Sequence, residues 1–183
     1  MFWRLSHRAD PLALPLADRH YNRQKPGTPQ FVPPGRCMVL IHGNPVTAVW
    51  VSSWPFAEYV KHQWAGAWVN SMFRKEGPGI ASAMIREAVA ATRWKWPDVP
   101  ILGMVTFIDP KHVAPIMVRG RPTWGRSYLE AGFYHVGYTK GGLWAFQMHP
   151  DAMPSPVPPH HQEPHAADTP LFPDESTSKK SSA

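Results

Sequence analysis

The sequence predicts an α+β fold, and three observations lead there. Short β-branched and aromatic runs of strand length recur between residues 36 and 149. One longer stretch repeats its apolar residues at helical spacing. Glycine- and proline-bearing turns separate these runs, and no internal repeat is present. The 183 residues suggest one domain with extras, and a 43% hydrophobic content with nine tryptophans is enough for a substantial core.

The elements follow in order. "RCMVLIH", Arg36–His42, and "VTAVWVS", Val46–Ser52, flank Gly43-Asn44-Pro45 and read as an antiparallel hairpin. "AWVNSMFR", Ala67–Arg74, is a further strand. Across Ile80–Trp94, the residues Ile80, Met84, Ile85, Ala88, Val89 and Thr92 fall on one helical face. "ILGMVTFID", Ile101–Asp109, is apolar enough to be a buried strand. "GRSYLEAGF", Gly125–Phe133, is a short helix closed by Gly132, a residue suited to a left-handed cap. "YHVGYTK" and "LWAFQMH" are two closing strands around Gly141-Gly142. Pro11–Pro34 and Pro110–Trp124 read as irregular. Residues 1–149 form the expected domain. Residues 150–183, rich in Pro, Ser and charge, have no period and are expected to be a disordered tail. His160, His161 and His165 within it read as a solvated cluster, not a metal site.

Charge separates these two parts. Residues 1–149 carry 17 Lys/Arg against 8 Asp/Glu, and residues 150–183 carry 2 against 5. A basic body points to an anionic partner, a nucleic acid or a phosphorylated cofactor, or else to general solubility. The single cysteine, Cys37, excludes an internal disulfide and fits a reducing cytoplasm. No apolar run approaches the roughly 20 residues of a membrane span. The first twenty residues lack the core of a signal peptide. A cytoplasmic protein is expected.

"FRKEGPGIASAM", residues 73–84, joins a strand to the predicted helix. A helix start exposes N–H groups without intrahelical acceptors, and glycines let an anion approach them. Arg74 and Lys75 add charge. On its own, the turn is equally well a plain strand-to-helix connection. Its context is more specific. Arg74-x-x-Gly77-x-Gly79 lies between a strand and an amphipathic helix, and Tyr128-x-x-x-Gly132-Phe133 follows later. This order resembles the GNAT acyltransferase superfamily over roughly residues 36–148. The resemblance implies a mixed, twisted sheet with helices on both faces, splayed to admit a cofactor. It implies that Arg74, Lys75, Gly77, Gly79, Ile80, Ala81 and Ser82 hold the diphosphate of acetyl-CoA or a related acyl-CoA. It also implies that Tyr128 protonates the leaving thiolate. Read without the family, Tyr128 is equally well a core tyrosine.

A closer likeness involves "DRHYNRQKPG" with His20-Tyr21, together with Asn70, Arg74, Ser82 and Asp109. These positions resemble the phage Mom family, which modifies bases in phage DNA against host restriction. The resemblance implies a DNA-modifying transferase with His20, Tyr21 and Asp109 facing a base amine, adenine first. Taken as residues alone, His20 is a general base, a metal ligand or a loop residue. Tyr21 is a stacking ring, a proton relay or an aromatic anchor. Asp109 orients His20, holds a base amine, or caps the turn to Pro110-Lys111. Arg19, Arg23, Lys25, Arg119, Arg121 and Arg126 are the candidate nucleic-acid contacts. His42, His62, His112 and His135 show no metal-ligand spacing, and no metal is expected. Trp50, Trp54, Tyr59, Trp64 and Trp68 read as core more than as a stacking platform. The alternatives are an acyl-CoA-dependent N-acetyltransferase for a small molecule or protein amine, and an inert nucleic-acid-binding module on the same fold.

Overall fold

The computed structural model describes residues 2–160. Nine strands and three helices run in the order β1 (Arg4–Ser6), α1 (Leu14–Asp18), β2 (Cys37–His42), β3 (Ala48–Ser53), β4 (Trp68–Lys75), α2 (Ala81–Lys95), β5 (Met104–Ile108), β6 (Ile116–Val118), β7 (Arg121–Thr123), α3 (Arg126–Ala131), β8 (Tyr134–Tyr138) and β9 (Trp144–Met148). Seven strands form one sheet in the order β1-β2-β3-β4-β5-β9-β8, and β6 and β7 form a separate pair. The main sheet is antiparallel except where β4 runs parallel to β5. The α+β expectation holds in this form.

Alternation along β2 and β3 divides the apolar residues between two faces. Met38, Leu40, Ala48 and Trp50 pack with Met84, Ile85, Ala88 and Val89 of α2 and with Ala131 of α3. Val39, Ile41, Val49 and Val51 pack on the other face with Leu16 and Ala17 of α1 and with Phe31 and Val32. Helices therefore lie on both faces. Arg86 Nη1 donates to Ala131 O at 2.8 Å and ties α2 to the end of α3. Gly132 ends α3 at φ 103°, the left-handed cap its sequence predicts. Trp50 and Trp68 are fully buried, Trp64 is buried on the opposite side, and Tyr59 is 76% exposed, so these rings form no common platform.

Three expectations need correction. Pro11–Pro34 is not wholly irregular, because α1 forms there with Leu16 and Ala17 packed into the sheet. Pro110–Trp124 contains the β6–β7 hairpin. Residues 150–160 of the expected tail are ordered. Arg93 Nη1 holds the carbonyls of Met153 and Pro154, Val157 N–H bonds Ala90 O, and His160 exchanges backbone hydrogen bonds with Trp3 and Leu5. Residues 161–183, with His161 and His165, lie outside the described residues. No helix among the described residues is long and apolar enough to cross a membrane.

Candidate functional site

The site begins where the parallel strands part. β4 and β5 pair at Trp68↔Met104, Val69↔Val105 and Asn70↔Thr106, and no further. On the other edge of β4 the register shifts. Val51 faces Met72 and Ser52 faces Asn70, which leaves Ser71 as an extra residue. Such a bulge bends its strand and disturbs the ladder. Asn70 satisfies the groups this leaves over. Its buried amide donates to Val51 O at 3.1 Å and Met72 O at 2.8 Å. Its Oδ1 accepts from Thr106 Oγ1 at 3.1 Å and from Tyr128 OH at 2.6 Å.

The loop after α1 then crosses the parting. Asn22 Nδ2 donates to Ser71 O at 2.6 Å, the bulge carbonyl, and this fixes the orientation of the Asn22 amide. Asn22 Oδ1 therefore faces His20 Nδ1 at 2.5 Å. An amide oxygen only accepts, so this short contact needs the hydrogen on Nδ1. The Asn22 backbone N–H approaches the same nitrogen at 3.3 Å, and the shorter contact assigns the hydrogen to Nδ1 and the lone pair to Nε2. Burial, with the Arg74 charge assisting against the Asn22 bond, lowers the His20 pKa and favours the neutral ring. Tyr21 OH donates to Phe107 O of β5 at 3.3 Å. Burial raises its pKa, opposed by a hydrogen bond from the Asp109 backbone that outweighs the repulsion of the Asp109 carboxylate.

Asp109 does not reach His20. Its Oδ1 accepts from Lys111 N–H at 2.9 Å, and its Oδ2 lies 2.9 Å from His112 Nδ1. The carboxylate, held below its usual pKa first by the Lys111 N–H and then by His112, fixes the His112 tautomer with Nε2 free to accept. His112 is the residue that sequence reading missed. Its sequence signal is weak, because only the turn after β5 brings Asp109 and the residue three places on together. The rings then stack: Tyr21 lies 4.6 Å from His20 at 25° and 5.6 Å from His112 at 4°, centroid to centroid.

Two cavities meet at Tyr21. A crevice of about 150 Å³ is lined by His20, Tyr21, Asn70, Thr106, Ile108 and Tyr128. A wider one, about 390 Å³, is lined by Tyr21, Asn22, Ser71, Asp109, His112 and Leu143. Burial raises the Tyr128 pKa well above the usual phenol range, so this group keeps its proton.

The turn before α2 fits a phosphate-bearing group in part. No side chain caps the first turn of α2, so the N–H groups of Ala81, Ser82 and Ala83 have no intrahelical acceptors. Lys75 Nζ sits over the turn, 2.5 Å from Gly77 O, with further hydrogens available. Gly79 takes φ 104°, and a Cβ there would meet nothing nearer than 3.6 Å. Ile80 is extended and 70% exposed. Two expected members differ. A Cβ on Gly77 would lie 2.5 Å from Thr47 Cβ, so packing against β3's entry explains this glycine. Arg74 is already engaged: its Nε lies 2.6 Å from Glu76 Oε1 and its Nη1 2.6 Å from Arg19 O.

The expected nucleic-acid contacts divide the same way. Arg19 grips Glu76 with two bonds, at 2.9 and 2.6 Å. Arg23 is buried against Asp18, Thr28 and Gln30 and serves as a strut of its loop. Arg126 pairs with Glu130. Lys25, Arg119 and Arg121 are exposed and make no ion pair among the described residues. No protein-family model, curated protein or solved structure matches this chain.

Proposed function

We propose that this chain is a GNAT-like transferase that modifies an exocyclic amine of a DNA base, adenine in the first instance, as a Mom-like anti-restriction enzyme of phage or prophage origin. The observation that carries the reading is the parting of β4 from β5 beneath the His20–Tyr21–His112 stack. A gap between parallel neighbours gives a donor arm a way from the start of α2 to the rings. The rings offer a base an aromatic face.

The chemistry of the acceptor fits these groups. The lone pair of an exocyclic amine is delocalised into its ring, so the amine needs a base to take a proton as it attacks. An acyl-CoA would supply a carbonyl carbon bonded to a good leaving sulfur. The chain's own part is to seat the amine beside Tyr21, to accept its proton at His112 Nε2, and to give one from Tyr128 OH to the departing group. His20 Nε2 is a second acceptor within the same stack. Inside a duplex the amine's ring is stacked and paired, so the base must be turned out or presented on a single strand.

Nucleoside mass spectrometry of DNA from a bacterial host expressing the protein tests the reading. A new nucleoside is expected, and it should be absent with Asp109→Asn. Unmodified DNA together with acylation of a small-molecule or protein amine would replace this reading with the N-acetyltransferase alternative.

A further inference from the structure

Between the Asp109–His112 turn and the helix that carries Tyr128, the chain runs out into a hairpin that the reaction above does not use. Among the described residues, β6 and β7 pair only with each other. Their base is fixed. Trp124 packs on Trp144 with centroids 5.0 Å apart, and its Nε1 donates to Val113 O at 2.8 Å. The hairpin thus leaves the chain between His112, which lines the wider cavity, and Tyr128, which lines the crevice.

The surface of the hairpin is unusual. Met117 is 66% and Ile116 50% exposed. Met117 lies directly opposite Pro122, also exposed, so the two share one face of the ribbon. The tip is a two-residue turn, Arg119-Gly120, with φ 49° and 77°. Two successive positive φ values make the turn that Asn-Gly or Gly-Gly ordinarily forms, and an arginine there is held against its own preference. Strain of this kind, kept at an exposed tip, points to a use for the side chain. Neither Arg119 nor Arg121 has an acidic partner among the described residues.

We propose that this hairpin is a wedge that enters the base stack of duplex DNA beside the target base. Met117 and Pro122 lie against the faces of the parted pairs, and Arg119 and Arg121 meet the flanking phosphates. The inference rests on the DNA reading above and adds how the base is reached. Methionine, isoleucine and proline are among the apolar side chains that proteins insert between base steps to unstack them. The two arginines provide the charge complementarity, and the apolar pair is what a phosphate-only contact would not need. Because the hairpin rises from the segment between His112 and Tyr128, a base displaced at its flank comes out next to the Tyr21–His112 face.

The test uses the full chain and duplexes carrying 2-aminopurine, whose fluorescence rises on unstacking. The wild type should raise it severalfold at saturation. Met117→Ser, a change at an exposed position, should bind with an affinity within about threefold of wild type, as for a side chain remote from phosphate, yet lose most of the rise. It should also modify single-stranded oligonucleotides at the wild-type rate and duplexes much more slowly. Arg119→Asn should keep or raise Tm, since Asn accepts the left-handed turn. The same change should lower the salt slope of duplex binding by about 0.9. An undiminished fluorescence rise with Met117→Ser, or an unchanged salt slope with Arg119→Asn, overturns the wedge while the DNA reading stands. A wild-type chain that binds single strands but no duplex at low salt overturns the wedge alone, and one that binds neither overturns both.

Discussion

Tyr128 and Asn70 meet across the parting of β4 and β5, the phenol donating to the amide oxygen at 2.6 Å. The same amide donates to two carbonyls at the bulge. One side chain therefore holds the bend in β4 and aims the tyrosine.

Replacing Asn70 by Leu should leave Val51 O, Met72 O and Tyr128 OH without their partner. Buried unsatisfied groups cost about 1–3 kcal/mol each, and partial relaxation should bring the total to about 3 kcal/mol in urea unfolding. Tyr128→Phe removes one bond and should cost about 1 kcal/mol. A loss for Asn70→Leu no larger than that for Tyr128→Phe would mean the amide does not support the bulge.

Asp109→Asn should slow base modification by about 10²-fold or more. The reason is the tautomer. An asparagine can turn its NH₂ toward His112 Nδ1, which moves the ring hydrogen to Nε2 and removes the acceptor. His112→Ala should show a similar loss without a further one in the double variant, because the two act as one unit. Additive losses in rate assays would separate them.

Stability should fall as pH drops below neutrality, in part through His20. Its folded pKa is lowered from 6.5 by burial. The unfolded chain therefore takes up a proton first, and stability present above pH 6.5 is lost as pH falls toward the folded value. Thermal melts between pH 7.5 and 5.5 should show a shallower decline for His20→Gln than for the wild type. His62, also lowered by burial, should account for a share of what remains.

Glu76→Gln should release Arg19 and Arg74 toward an anion at the start of α2. The two arginines hold the Glu76 pKa down to about 2 from 4.5. Its contribution to stability is thus present above pH 4.5 and is lost only as pH falls toward 2. At pH 7 an exposed ion-pair network of this kind contributes little, so Tm should barely move. Binding of coenzyme A, followed by calorimetry, should tighten severalfold. Weaker binding would show that Glu76 helps to build the donor site.

The central elements were legible because their signals are local. β2, β3, β4, β5, β8 and β9 follow from β-branched and aromatic runs. α2 follows from its spacing, and its predicted bounds differ from the observed ones by a residue at each end. What escaped depends on distant partners. α1 is five residues long with a proline inside and exists by packing Leu16 and Ala17. The Arg-Gly turn of β6–β7 has the glycine of a hairpin turn but an arginine where Asn, Asp or Gly would announce one. Residues 150–160 have no period, and backbone bonds to Ala90 and Trp3 hold them. At the site, His20, Tyr21 and Asp109 were legible as candidates through a resemblance. Their partners Asn22 and His112 emerge only once the bulge at Ser71 and the turn after β5 are formed.

The bridge between Arg4 and His160 joins the two ends of the described chain. Closing so long a loop carries a high entropy cost before any contact repays it. This joint should form after the central strands during folding. It should also be among the first regions to open. Amide hydrogens of Leu5 and His160 should then exchange with solvent well before those of β3 and β4, through openings smaller than global unfolding. Because β1 is the edge that residue 160 covers, each such opening briefly uncovers a strand edge able to pair with another chain. The lashing of residues 153–160 along α2 is what keeps that edge paired.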